Sequence, residues 1–389
     1  MPQVDIWDQQ VKRERRLSLS LTVTQDCNLR CRYCYEPTKP RNYMSLQTAQ
    51  EAITYYMEVD DTFEAIEIDF FGGEPMLAFD LIRDVVEWFH SRPWPKAHIF
   101  FIGTNGTVLT DEMKKWLVRH KECVKIGLSL DGNKAAHDVN RSNSYDQVMR
   151  NLPFFMEHWS DQPIKMTISA ESIPHVADSI IEMEEMGLVF SANLPFEDIW
   201  GPPETKAALI EEYARQLDRL VTYYASRPEL FPARIVDRKP EVLYQPDYGK
   251  AVGEDCIRFC GAGHEMVMVD VDGKRYPCHR FSPWVTGRPE PTELVNRQTS
   301  WQPQMCADCA LISACPTCAG FNWQENGNTG LRTTYHCQAV KQEVLASAKL
   351  QALRLLQKQP QDLIELSPDE AYQAKRRLDA ILTLASEGV

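Results

Sequence analysis

Six short apolar runs, each followed by a stretch of helical spacing, fill residues 17 to about 225 and limit the folds open to this chain. The runs are Leu17–Thr24, Ala65–Phe71, His98–Thr104, Val124–Leu130, Lys165–Ser169 and Val189–Leu194. They are rich in Ile, Val and Phe, as strands covered on both faces are. In the stretch opening near Ser45, the residues Ala49, Ala52, Ile53 and Tyr56 share one helical face, and Phe79, Ile82, Val86 and Phe89 do so in the next. This alternation predicts an α/β fold with a parallel sheet, helix-covered and curved as a complete or partial (βα)6 TIM-like barrel. Active sites of such barrels stand at the C-terminal ends of the strands.

Residues 226–253 contain Pro228, Pro232, Pro240 and Pro246 and read as a connection. The expected division is a polar N-terminal segment 1–16, a core 17–235, a linker 236–253, a cysteine-rich module 254–345 and a helical extension 346–389. Lys341–Gln357 has helical spacing and stops at Pro360. Ser367-Pro368-Asp369-Glu370 has the form of a capping box and opens a last helix to about Ser386.

The cysteines point to metal chemistry. Of twelve, three lie in Cys27-x3-Cys31-x2-Cys34 and eight between Cys256 and Cys337, leaving Cys123 alone beside an apolar strand as a buried free thiol. A polar first 16 residues without an apolar signal core predict a cytoplasmic protein, in which thiols stay reduced. No stretch has the length of a membrane span. The net charge of -13 argues against a sequence-independent nucleic-acid binder and suits a neutral or basic polypeptide partner or mere solubility. Three thiolates at the triplet's spacing can hold one [4Fe–4S] cluster and leave its fourth iron open. A zinc site is the structural rival, and it wants a fourth Cys or His nearby.

The first four strands each end in a motif. Strand one leads to the triplet, strand two to Gly72-Gly73-Glu74-Pro75, strand three to Thr104-Asn105-Gly106, and strand four to Ser129-Leu130-Asp131-Gly132. Glycines allow close approach of backbone to a ligand, Glu74 can accept from an ammonium group, and Asn105, Ser129 and Asp131 offer what a ribose diol needs.

The triplet with Tyr33 inside it and these ordered motifs resemble the radical S-adenosylmethionine (SAM) enzymes over roughly residues 17–235. The resemblance implies that Cys27, Cys31 and Cys34 hold a SAM-binding [4Fe–4S] cluster, whose electron cleaves SAM to a hydrogen-abstracting 5′-deoxyadenosyl radical. It further implies that Gly72, Gly73 and Glu74 hold the methionine amine, that Arg141 grips its carboxylate, and that Tyr33 lies near the adenine.

The later cysteines resemble the SPASM domain of radical enzymes that modify peptides and proteins. By that resemblance Cys256, Cys260, Cys278 and Cys318 hold a first auxiliary [4Fe–4S] cluster, and Cys306, Cys309, Cys315 and Cys337 a second, making three in all. Two residues separate Cys315 from Cys318 where the family usually has three, and Cys256 stands closer to Cys260 than in sulfatase-maturing relatives. Two C-x2-C pairs also admit a zinc knuckle.

The expected function is a peptide maturase that oxidatively modifies, and foremost cross-links, a ribosomally made precursor. The resemblance implies a one-electron donor such as flavodoxin or ferredoxin and allows a separate leader-binding protein, since no leader-binding segment is evident. Formylglycine formation on a sulfatase is the alternative, but that subgroup typically has an aspartate base where this chain has His279, itself a candidate proton acceptor. A non-catalytic iron–sulfur carrier or scaffold is the alternative of another class.

Overall fold

The computed structural model describes residues 15–237, 260–291, 306, 309, 311 and 315–356. Strands β1 (Arg16–Thr24), β2 (Ala65–Gly72), β3 (Ala97–Thr104) and β4 (Val124–Leu128) pair in parallel, in the spatial order β4-β3-β2-β1. Two further parallel strands, β5 (Ile164–Thr167) and β6 (Phe190–Asn193), pair with each other. A bridge between Ser129 and Lys165, with Leu130 N donating to Lys165 O at 3.1 Å, joins β5 to the end of β4. The result is a partial barrel. No pairing closes it between its outer strands among the described residues.

The helices follow the expected apolar faces. Helix α1 (Leu46–Thr54) is capped by Ser45, whose hydroxyl accepts from Thr48 N, and it buries Ala49, Ala52 and Ile53. Helix α2 (Phe79–His90) buries Phe79, Ile82, Val85, Val86 and Phe89. α3 (Asp111–Arg119), α4 (Lys134–Asn140), α5 (Tyr145–His158), α6 (Val176–Glu185) and α7 (Pro203–Ala225) complete the layer. Ile66, Ile68 and Phe70 of β2 join the core, whereas the alternating Glu67, Asp69 and Phe71 are only half-buried. Ser20 of β1 donates to Asp69 at 3.2 Å, so this second face is polar and leads to a cavity rather than a packed interior.

Two strand ends differ from expectation. The fourth strand stops at Leu128, because Ser129 and Leu130 turn to meet β5, and the fifth spans Ile164–Thr167 rather than Lys165–Ser169. The proline-bearing stretch also begins as part of the core: Ala233, Ile235 and Val236 are buried. The rest of the expected linker, from 238 to 253, lies outside the described residues.

The cysteine-rich module adds a strand to the barrel sheet. β7 (Met266–Val269) pairs in parallel with β1, matching Ser18 to Met266 and Leu21 to Val269. β8 (Arg275–Tyr276) returns antiparallel after the Asp272-Gly273 turn, where Gly273 has φ +84°. Short α8 (Pro283–Thr286) and α9 (Ala319–Asn326) follow. Helix α10 (Cys337–Leu356) starts before the expected Lys341 and lies on α7, tied by Tyr213 Oη to Glu343 at 2.8 Å and by Arg354 to Tyr224 O at 3.2 Å. The helix expected after Ser367 lies outside the described residues.

Candidate active site

The segment carrying Cys27, Cys31 and Cys34 has no regular secondary structure, so its backbone groups must find partners in neighbouring loops. They do. Arg32 N donates to Asn140 O at 3.0 Å, Arg30 N to Ser142 Oγ at 3.0 Å, and Glu74 N to Asp26 O at 2.8 Å. Asn28 donates to Thr107 at 2.8 Å and accepts from Asn105 at 2.9 Å. The loops after β2, β3 and β4 thus hold the cysteine loop from three sides.

Gly72 and Gly73 owe their place to this packing. A Cβ on Gly72 would stand 1.9 Å from Thr24 O, and one on Gly73 2.2 Å from Asp26 O. Both neighbours are backbone, so neither can give way. These glycines admit the approach of the chain entering the cysteine loop, where the sequence suggested approach of a ligand.

The three thiols face a cavity of about 340 Å³, shared with Tyr33, Gly72, Gly73, Glu74, Asn105, Ser129 and Arg141. Burial pushes the Cys27 thiol up to about 11 and also raises Cys31, a cost that a bound cation offsets. Lys39 donates to Cys34 Sγ at 3.0 Å and pairs with Glu36. Among the described residues no three Cys, His, Asp or Glu converge on a single-ion site. Three thiols on the wall of one cavity are the donor set that a [4Fe–4S] cluster with one open iron requires.

Several motif side chains are already engaged. Glu74 accepts from Thr104 Oγ1 at 2.7 Å, Asn105 N at 2.7 Å and Met76 N at 3.1 Å, although burial raises its pKa. Asp131 is 0% exposed and does not line the cavity. It accepts from Tyr33 Oη at 2.6 Å, Thr167 N at 2.9 Å and Asn140 Nδ2 at 3.2 Å, and pairs with Arg141 Nε at 3.0 Å. Asp131 is therefore a buried hub rather than the open ribose partner read from the sequence. Burial works against the Arg141 charge, but Asp131, Tyr33 and Cys31 outweigh it and raise its pKa. Ser129 and Arg141 face the cavity. His137, pushed down to about 4 mainly by burial, accepts from Asp131 N at 3.2 Å and stays neutral.

His279 lies outside the cavity lining. Its ring stacks on Phe71 with centroids 4.5 Å apart and on Tyr35 at 5.5 Å. Burial, then Arg280 and Lys165, lower its pKa to about 3. Arg280 does line the cavity, over the Tyr35 ring at 4.2 Å and paired with Glu197 at 2.7 Å. Sequence reading missed Phe71, Lys165, Glu197 and Arg280. Only Lys165 carried a signal, as a charge at an inward position of an apolar strand.

In the second module Cys260 and Cys318 both act electrostatically on Cys278. Cys278 and Cys260 pack with Phe281 and Ala319, and Cys318 Sγ accepts from Phe321 N at 3.5 Å. Cys306 and Cys309 act in the same way on Cys337. Cys315 lies 3.8 Å from His336 Nε2. Cys256 lies outside the described residues, and Cys123 is buried near His90.

Residues 21–169 match the model of the Radical SAM superfamily. The chain therefore carries a radical SAM domain. It is a radical SAM enzyme of the SPASM-bearing maturase type, as its relatives also indicate. It is 27% identical over 286 residues to the cysteine-type anaerobic sulfatase-maturating enzyme of Clostridium novyi, covering 67% of this chain and 73% of that one. It is 22% identical over 236 residues to the radical SAM cyclopropyl synthase TigE of Paramaledivibacter caminithermalis, covering 54% of this chain and about half, 49%, of TigE. The fold is that of native anSMEcpe with bound AdoMet and Cp18Cys peptide, at TM-score 0.65 and 17% identity over 88% of this chain and 99% of that one. No described helix is long and apolar enough to cross a membrane.

Proposed function

We propose that this radical SAM maturase abstracts a hydrogen atom from a ribosomally made precursor peptide and leaves an oxidative modification, foremost a side-chain cross-link. On this reading Cys27, Cys31 and Cys34 hold the SAM-binding cluster, Arg141 grips the SAM carboxylate, and Ser129 with Asn105 serves the ribose. Bound together, cluster and SAM supply the hydrogen-abstracting radical. Tyr33 closes the adenine side, and the apolar Leu29, Phe71, Leu194 and Phe196 keep water from the reacting atoms.

Cys256, Cys260, Cys278 and Cys318 are assigned to one auxiliary cluster, and Cys306, Cys309, Cys315 and Cys337 to the other. They would take up the second electron leaving the peptide. A small protein donor such as flavodoxin or ferredoxin is the expected source of the first, and a separate leader-binding protein is compatible with the open rim.

The observation favouring a cross-linked peptide over formylglycine is the residue after Cys278. It is a histidine, stacked between two rings and held neutral, where the sulfatase-maturing subgroup typically has a carboxylate base. The second reading, formylglycine formation, draws on the named activity of the Clostridium novyi relative.

Incubation of the reduced protein with a short peptide encoded beside its gene, and in parallel with a sulfatase peptide, distinguishes the two. A product lighter by two hydrogens supports the proposal, and Cys278→Ala should form 5′-deoxyadenosine without it. An aldehyde on a sulfatase peptide would reverse the ranking.

A further inference from the structure

The charges lining the cavity are almost all answered. Glu36 pairs with Lys39, Arg141 with Asp131, and Arg280 with Glu197, while Glu74 accepts from three donors. Lys165 is the exception. Its ammonium has no hydrogen bond or ion pair among the described residues, and its side chain opens onto the cavity, enclosed by the barrel wall. Burial lowers its pKa, Arg141 adds to that, Asp131 opposes it, Arg280 adds again, and Asp69 opposes it in turn. Neither carboxylate is in contact with the ammonium, so an anion brought beside Lys165 would supply the direct partner it lacks among the described residues.

Position says whose anion it is. Lys165 and Thr167 point inward from β5, the wall that carries no cysteine of the triplet and no Gly-Gly turn. SAM brings one carboxylate, and Arg141, one of whose five N–H groups faces Asp131, stands ready for it. That leaves Lys165 for the other molecule in the cavity. We propose that Lys165 is a substrate-specificity residue that binds a carboxylate of the peptide, an Asp or Glu side chain or a C-terminus, next to the hydrogen to be abstracted. The proposal rests on the peptide-maturase reading and names the class of residue its substrate presents.

Amine acylation mapped by mass spectrometry tests it on the reconstituted, SAM-loaded protein. The probes are the peptides acetyl-Gly-Glu-Gly-amide and acetyl-Gly-Gln-Gly-amide. The Glu peptide should slow Lys165 labelling roughly tenfold more than its Gln twin, as a partly desolvated charge contact does. In Lys165→Arg the Glu peptide should still bind more tightly by calorimetry. In Lys165→Gln the preference should vanish, with iron content and melting temperature reporting on folding. Protection by SAM alone, with nothing added by the Glu peptide, would assign the lysine to the cofactor and overturn the proposal. Equal protection by both peptides, or by neither, would overturn it too. Protection by the Glu peptide while no gene-adjacent peptide is ever modified would instead count against the maturase reading and leave the carboxylate site standing.

Discussion

The His279 ring lies nearly flat on the Phe71 ring, with centroids 4.5 Å apart and planes 18° apart. Phe71 immediately precedes the Gly-Gly turn, and His279 immediately follows Cys278, so the contact keys the cysteine-rich module to the barrel rim. His279→Phe preserves the stack and should retain most of the stability and product formation. His279→Ala should lose about 2 kcal/mol, from stacking plus lost apolar burial, in urea unfolding under anaerobic conditions. Equal loss of product in both variants, with stability kept in the Phe variant, would restore His279 as a proton acceptor.

The Gly-Gly turn gives a sharper result. Gly72→Ala sets a Cβ 1.9 Å from Thr24 O at φ +135°, so β1, β2 or the cysteine loop must shift. We expect a loss of about 3 kcal/mol or more and of about four irons per chain in the reconstituted protein. Iron analysis beside a thermal melt checks it. A Gly72→Ala protein with full iron content would show the loop to be more pliant than this contact allows.

His137 gives the fold a pH dependence. Its pKa is lowered from 6.5 to about 4 in the folded protein, so between these values the unfolded chain binds the extra proton. Its contribution to stability is present above about pH 6.5 and is lost as pH falls toward 4, at up to about 1.4 kcal/mol per pH unit. His137→Gln should flatten the melting temperature against pH over that window while lowering it at pH 7. An unchanged slope would contradict the assignment.

Arg141→Ala should weaken SAM binding while the iron content holds, because the guanidinium lies beside the cavity but is not a cluster ligand. It also strands the buried Asp131 carboxylate, so a stability loss of about 3 kcal/mol should accompany it. Equilibrium dialysis with labelled SAM measures the first effect and urea unfolding the second. Unchanged SAM affinity would remove Arg141 from the site.

Periodicity made most of the barrel legible. Leu19, Leu21, Ile66 and Ile68 lie in strands where apolar runs predicted them, and the α1 and α2 faces bury the expected residues. The β7–β1 pairing was not legible, because a four-residue apolar run says nothing of a partner more than two hundred residues away. At the site, residue types identified the neighbourhood but not each bond. Asp131 reads as a ribose partner in isolation, and only the fold shows its oxygens taken by Tyr33, Asn140 and Thr167. Lys165 had no motif around it, so its lack of a partner emerges only when every charge in the cavity is placed.

Isotope transfer tests the central claim most directly. A fully deuterated form of the gene-adjacent peptide is incubated with the reduced, reconstituted protein and SAM, and the 5′-deoxyadenosine is weighed by mass spectrometry. The account predicts deuterium in the 5′-deoxyadenosine, formed only with peptide and lost when Cys27, Cys31 and Cys34 are all replaced by Ala. Undeuterated 5′-deoxyadenosine, produced at the same rate with and without the peptide, would contradict it.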